Sequence, residues 1–213
     1  MATIIVNGFE PALGKAAEAL SLLKEAQEII SSQGAKVQVA SLVRGGVPGT
    51  LSVVTEYEDT AAYGAGIDAL NADEGMQKFL ARAQATQAVK PVRSVDYFEI
   101  PGMETRHDDI AACSVMMASL FQIREGRQQE SVERIQQWKS LVEKHGGRCR
   151  ALQSMVSDPA FLTATVSYYD NFTEWGRIGQ ELNADPDWQT FGAEIRGKNA
   201  SADFLRTTLM RVV

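Results

Sequence analysis

Histidine and cysteine are scarce in this chain: two of each among 213 residues. Two thiols cannot hold a four-cysteine iron–sulfur cluster, and no histidine-rich zinc spacing exists, so no metal site and no cofactor are expected. Long apolar runs are missing as well. None approaches the ~20 residues of a membrane span, so a membrane partner is not expected. Basic excess is also lacking: 21 Lys and Arg face 27 Asp and Glu, for a net charge of −6. That argues against nucleic acid as a partner, which needs a basic face. The stretch Met1–Val6 has no basic start and reads as a strand, not a leader. Gly45-Gly46-Val47-Pro48-Gly49 lacks the Lys-Ser/Thr ending of a phosphate loop and joins two strands rather than a strand and a helix. No Gly-x-Ser-x-Gly elbow is present. The expectation that remains is a globular cytoplasmic protein with no motif that names a reaction.

What the sequence does have is a repeat. At an offset of 112, Phe9 meets Phe121, Gly14 meets Gly126, Gly34 meets Gly146 and Tyr57 meets Tyr169. In the same register Leu70-Asn71-Ala72-Asp73 meets Leu182-Asn183-Ala184-Asp185. Gln77 and Phe79 then meet Gln189 and Phe191. Near the last strands Arg93-Ser94 matches Arg206-Thr207 better at 113, so one residue is inserted there. The domains expected are a first unit over 1–100, a polar linker over 101–110 and a second unit over 111–213. Cys113 and Cys149 stand opposite Met1 and Val37. They replace ordinary residues and read as free, buried thiols.

Each copy reads as β-α-β-β-α-β. Thr3–Phe9 and Ser114–Phe121 alternate like strands. Leu20, Leu23, Ala26, Ile29 and Ile30 form a helical stripe, as do Val132, Ile135, Trp138, Leu141 and Val142. Gly34 and Gly146 end these helices. Lys36–Val43 and Arg148–Val156 are second strands. Gly45–Gly49 and Ser157-Asp158-Pro159 turn into third strands at Thr50–Tyr57 and Leu162–Tyr169. Second helical regions cover Thr60–Ala85 and Phe172–Gly197. Val92–Ile100 and Ala202–Val213 close each copy. Right-handed crossovers fold this order into an antiparallel sheet with both helices on one face. The fold class expected is α+β, two tandem ferredoxin-like units whose bare sheet faces pack on each other as an intramolecular barrel.

The element order, the repeat and the motif Asp73-Glu74-Gly75-Met76-Gln77-Lys78-Phe79, repeated as Asp185-Pro186-Asp187-Trp188-Gln189-Thr190-Phe191, resemble the dimeric α+β barrel superfamily. The resemblance implies cofactor-free monooxygenases, haem-degrading oxygenases, polyketide cyclases, lactone isomerases and stress proteins as relatives, so fold does not supply function. Haem-degrading relatives pair a first-strand Asn with a Trp and a haem-ligating His on the second helix. Here that helix holds no His, since His107 lies in the linker and His145 beside Gly146.

Eight residues are candidate ligand contacts. Asn7 is polar on a strand face shared with Ile5 and Phe9, and its counterpart is Ser119. Tyr57 and Tyr169 end the third strands and could donate to a bound carbonyl or anchor the strand. Tyr63, Trp175 and Trp188 put large rings on the second helical regions. Arg93 and Arg206 are matched cations on the last strands. Asp73 and Asp185 read as helix caps. Ala26 opposite Trp138, Gly75 opposite Asp187 and Ala62 opposite Glu174 give the first copy more room. If one copy keeps a pocket, the expectation falls there.

Three functions fit. One is a cofactor-free monooxygenase-like enzyme on a small aromatic or apolar substrate. Another is a binding protein without turnover. The third is a structural or oligomerising protein with filled pockets. A homo-oligomer is left open, because an internal barrel removes the need for a dimer without forbidding one. Whether the chain is an enzyme is not fixed.

Overall fold

The computed structural model describes residues 1–156 and 161–213. The turn expected at Ser157-Asp158-Pro159 lies outside the described residues. The chain forms two compact units, Met1–Phe98 with Val212–Val213, and Glu99–Arg211. Among the described residues no helix is long and apolar enough to cross a membrane.

The first unit runs β1 (Thr3–Pro11), α1 (Ala16–Ser32), β2 (Lys36–Arg44), β3 (Leu51–Tyr57), α2 (Thr60–Ala72), α3 (Glu74–Thr86) and β4 (Val89–Glu99). Its strands pair antiparallel in the order β2-β3-β1-β4. Along β3 every second residue is buried, which puts Leu51 and Val53 beneath the helices. There they pack with Ile5, Ala19 and Leu23 in one apolar cluster. A second cluster joins Leu22 and Ala26 of α1 to Met76 and Phe79 of α3. Each buried Leu or Phe side chain contributes about 1.5–3 kcal/mol of transfer free energy.

The second unit begins with α4 (His107–Ile110), then β5 (Val115–Ile123), α5 (Gln128–Lys144), β6 (Arg148–Val156), β7 (Leu162–Tyr169), α6 (Phe172–Ala184), α7 (Pro186–Arg196) and β8 (Ala202–Val212). Strand order is β6-β7-β5-β8. The offset of 112 recurs in the hydrogen-bond register. Thr3 lies opposite Tyr57 and Val115 opposite Tyr169. On the other side Thr3 faces Phe98 and Val115 faces Arg211. That is an offset of 113 for the last strand (211 − 98), as the sequence predicts. Both last-strand pairings slip at the same place, between Gly8 and Phe9 and between Leu120 and Phe121.

Each second helical region is two helices, broken at the Asp that the sequence marks as a cap. Asp73 ends α2 and caps α3, its carboxylate accepting from the Met76 N–H at 2.7 Å. Asp185 does the same for α6 and α7, accepting from the Asp187 N–H at 2.9 Å. The segment expected as a polar linker is docked on β6. The Ile100 N–H donates to the Ala151 carbonyl at 3.0 Å and the Thr105 hydroxyl to the Cys149 carbonyl at 2.6 Å. Met103 and Ile110 are fully buried. Polar composition hid these two apolar anchors.

Candidate functional site

The second unit encloses a chamber of about 660 Å³ between its helices and its sheet. Side chains alternate along a strand, so Met117, Ser119, Phe121 and Ile123 of β5 share the face beneath it. Thr163 and Thr165 come from β7, and Phe204 and Thr207 from β8. Ser119 lies opposite Thr165 on one side and Thr207 on the other. Three hydroxyls therefore form a row across three strands. The Ser119 and Thr207 hydroxyls are hydrogen-bonded at 2.7 Å. Thr165 as a residue is only 4% exposed, yet its hydroxyl has no hydrogen bond among the described residues and is not one of the buried polar atoms left without a partner, so its oxygen opens on the chamber. A hydroxyl in that position takes its partner from whatever occupies the cavity.

The walls are aromatic. Trp138 of α5 and Trp188 of α7 line the chamber, and the Trp188 and Phe191 rings lie 5.7 Å apart. Phe121 and Phe204 meet edge to face at 5.7 Å. The exposed lining residues Arg196, Gly197, Lys198 and Asn199 mark the mouth of the chamber. In the first unit only Gln87 and Ala88 separate α3 from β4, whereas here α7 stops at Arg196 and the longer loop opens onto the chamber. That loop is held by its carbonyls. Arg124 Nη1 donates to Lys198 O at 3.2 Å, Arg127 Nη2 to Asn199 O at 2.8 Å and the Ser131 hydroxyl to Ser201 O at 3.2 Å.

The chamber offers recognition more readily than bond-breaking. A serine becomes a nucleophile when a base takes its proton, and Ser119 meets a threonine hydroxyl instead. The two carboxylates at the rim are engaged: Arg127 Nε donates to Glu130 at 2.6 Å, and Arg134 pairs with Glu194. Neither histidine lines the chamber. His145 is bonded to Asp185 at 2.8 Å. A haem held by a histidine does not fit this donor set.

The chamber sits in the second unit, not the first as the smaller side chains suggested. Small residues let helices settle onto the sheet. A helix rests at a distance set by the side chains beneath it, and Ala19 and Leu23 close down on Leu51 and Val53. In the second unit Thr163 and Thr165 replace Leu51 and Val53, while Trp138 and Trp188 replace Ala26 and Met76. Shorter floor residues and larger walls leave the space open.

No family model matches the sequence, and no curated protein matches it. Solved structures do. A candidate monooxygenase from Fusobacterium nucleatum subsp. nucleatum superposes with TM-score 0.63 and 13% identity, over 99% of this chain and 92% of that one. An anthrone oxidase-like protein gives 0.60 and 12%, over 100% and 91%. A heme-binding protein from Thermus thermophilus gives 0.55 and 9%, over 100% and 91%. The fold is of the dimeric α+β barrel type, as in these structures. At these identities the likeness is one of fold alone.

On this dimeric α+β barrel scaffold, Trp188 is the one of the eight sequence candidates that lines the chamber. Trp175 packs against the second unit's core, in which Tyr169 is buried. Burial raises the Tyr169 phenol. Arg206 is exposed on β8, opposite Leu120. The other four belong to the first unit. Asn7 is half-buried on β1, at the position equivalent to Ser119. The buried Tyr57 ring lies 5.5 Å from Tyr63, and burial raises its phenol. The Tyr63 hydroxyl donates to Asp96 at 3.1 Å; burial first, then the Asp96 charge, raises it. Arg93 donates to the Tyr97 hydroxyl at 2.9 Å. The residues missed are the threonines. Aligning the copies exposes them, because Thr163 and Thr165 are polar where the first copy has Leu51 and Val53.

Proposed function

We propose that the second unit binds a small, flat, largely apolar molecule carrying an oxygen substituent. The observation that carries this reading is the Thr165 hydroxyl, which opens on the chamber beside Ser119 and Thr207 and has no hydrogen-bond partner among the described residues. Indole and phenyl walls suit an aromatic ring, and the volume lies in the usual range of about 300–1,000 Å³ for small-molecule sites. In this reading the protein acts in the cytoplasm with both thiols free, and its two units descend from one by duplication.

A second reading, cofactor-free monooxygenation, is supported by the fold neighbours described as a monooxygenase and as anthrone oxidase-like. The hydroxyl row would then stabilise the enolate or phenolate oxygen of a substrate that itself reduces oxygen.

Titration with 2-naphthol and with naphthalene, followed by tryptophan fluorescence, tests the first reading. Saturable quenching by both is expected. Thr165→Val should weaken 2-naphthol about fivefold, the worth of one net hydrogen bond, and leave naphthalene unchanged. Failure of both probes to saturate would sink the reading. An oxygen electrode with anthrone as substrate separates the two: oxygen uptake above the no-protein rate, abolished by blocking the chamber, marks turnover.

A further inference from the structure

The charges around the chamber mouth do not balance. Glu130 is matched by Arg127 and Glu194 by Arg134. Asp203, just beyond the loop, is matched by Arg124. Two further cations line the chamber, Arg196 and Lys198. Among the described residues neither has a carboxylate within ion-pair distance. They stand together at the opening of a cavity whose other charged lining residues, Glu130, Arg134 and Glu194, are all paired, in a protein whose net charge is −6.

Arg196 is also seated. Its Nε donates to the Gly192 carbonyl at 2.7 Å, one turn back on α7. Its guanidinium occupies the space above Gly192: a Cβ built there would lie 2.6 Å from Arg196 Nη2. Glycine is a poor helix former, and the equivalent first-unit position is Leu80, with Gln84 in place of Arg196. The glycine and the arginine thus occur together, and only in the unit with the chamber. Lys198 is carried on the loop that Arg124 and Arg127 fasten by its carbonyls.

We propose that Arg196 and Lys198 read an anionic end on the ligand, so that the preferred occupant is a small aromatic carboxylate. Its ring lies among Trp138, Trp188 and Phe121, and its carboxylate lies at the mouth. This rests on the ligand-binding reading above and narrows it. A planar guanidinium suits a carboxylate through paired N–H donors. Gly192 is the specificity determinant that sets where the guanidinium stands. The aromatic ring supplies most of the affinity, because both cations are exposed to water, where an ion pair is weak.

The test compares 2-naphthoate with its neutral counterpart 2-naphthamide on the full chain, by fluorescence titration at low salt. Naphthoate should bind at least about threefold tighter than the amide, consistent with an exposed charge pair. The preference should fall with added salt. In the R196Q/K198Q double variant it should vanish while naphthamide affinity stays the same. Gly192→Ala, which displaces the guanidinium without touching the chamber walls and favours the helix, should lower naphthoate affinity alone and leave the melting temperature no lower. Equal binding of the two probes to the native protein, or a preference that survives R196Q/K198Q, overturns this inference and leaves the chamber reading intact. If neither probe saturates, both fall together.

Discussion

Asp185 serves three partners with one carboxylate. It caps α7 through the Asp187 N–H, accepts from Lys144 Nζ at 2.8 Å and meets His145 Nε2 at 2.8 Å. Its side chain is 5% exposed. Lys144 foremost, then His145 and the Asp187 amide, hold the carboxyl well below the usual carboxylate range. A group depressed in the folded state stabilises the fold above its unfolded pKa of about 3.9. That stability is lost as pH falls below this value toward the folded one. Asp185→Asn keeps a capping side chain but loses the charge. It should lower the melting temperature at pH 7 and flatten its decline between about pH 5 and pH 2. A variant whose acid decline matches that of the native protein would show that Asp185 is not the group responsible. The Leu-Asn-Ala-Asp repeat made the cap legible in the sequence. Lys144 and His145 were not legible as partners, because about forty residues of chain intervene. In the first unit the uncharged Gln33 takes the equivalent place, reaching Asp73 at 3.5 Å.

At the scale of elements, each broken helix pair is a small machine for turning the chain. The backbone stops at Asp73 or Asp185. Gln77 then reaches back to the Asn71 carbonyl at 3.0 Å, as Gln189 does to Asn183 at 3.0 Å. The spacing shared by the two copies therefore records a capping geometry used twice, which explains why Asn, Asp and Gln repeat without a reaction that needs them. Asp73→Ala should cost about 1 kcal/mol, the usual worth of a cap. It should appear as a lower urea midpoint with an unchanged slope. Gln77→Ala, removing only an exposed hydrogen bond, should shift it by less than half as much. Strand positions and the one-residue insertion ahead of the last strand were readable, because alternation and the jump from 112 to 113 are sequence patterns; the slip shared by both last-strand pairings was not. The loop Gly197–Ser201 was readable to within one residue, since the sequence predicts a helical region ending at Gly197 and a strand beginning at Ala202. What the sequence does not show is that α7 ends two positions before the counterpart of Thr86, the end of α3, and that this loop, with Arg196 and Lys198, lines a chamber.

Over the whole molecule, two units of one design differ in how they spend their interior. The first fills it with Leu51, Val53, Ala19 and Leu23. The second leaves a chamber over Thr163 and Thr165. Reading room from side-chain size failed here because a protein interior closes to near-crystalline density wherever its elements can approach. Small groups invite closure, and two indoles prevent it. An open chamber with a partnerless hydroxyl is less stable than a filled one, and functional sites commonly carry that cost. Giving the second unit the first unit's floor, with Thr163→Leu and Thr165→Val together, tests this directly. The added methyl groups enter existing space, so filling it should stabilise the protein by about 1 kcal/mol, or roughly 2–4 °C in melting temperature for a chain of this length. Thr163 also gives up its 3.4 Å contact with Gln153, too long to offset that gain. The same variant should lose saturable binding of 2-naphthol and 2-naphthoate alike. A stabilised protein that still binds both would place their site outside the chamber. A destabilised one would mean that the threonine floor is structural, serving the fold and not a ligand.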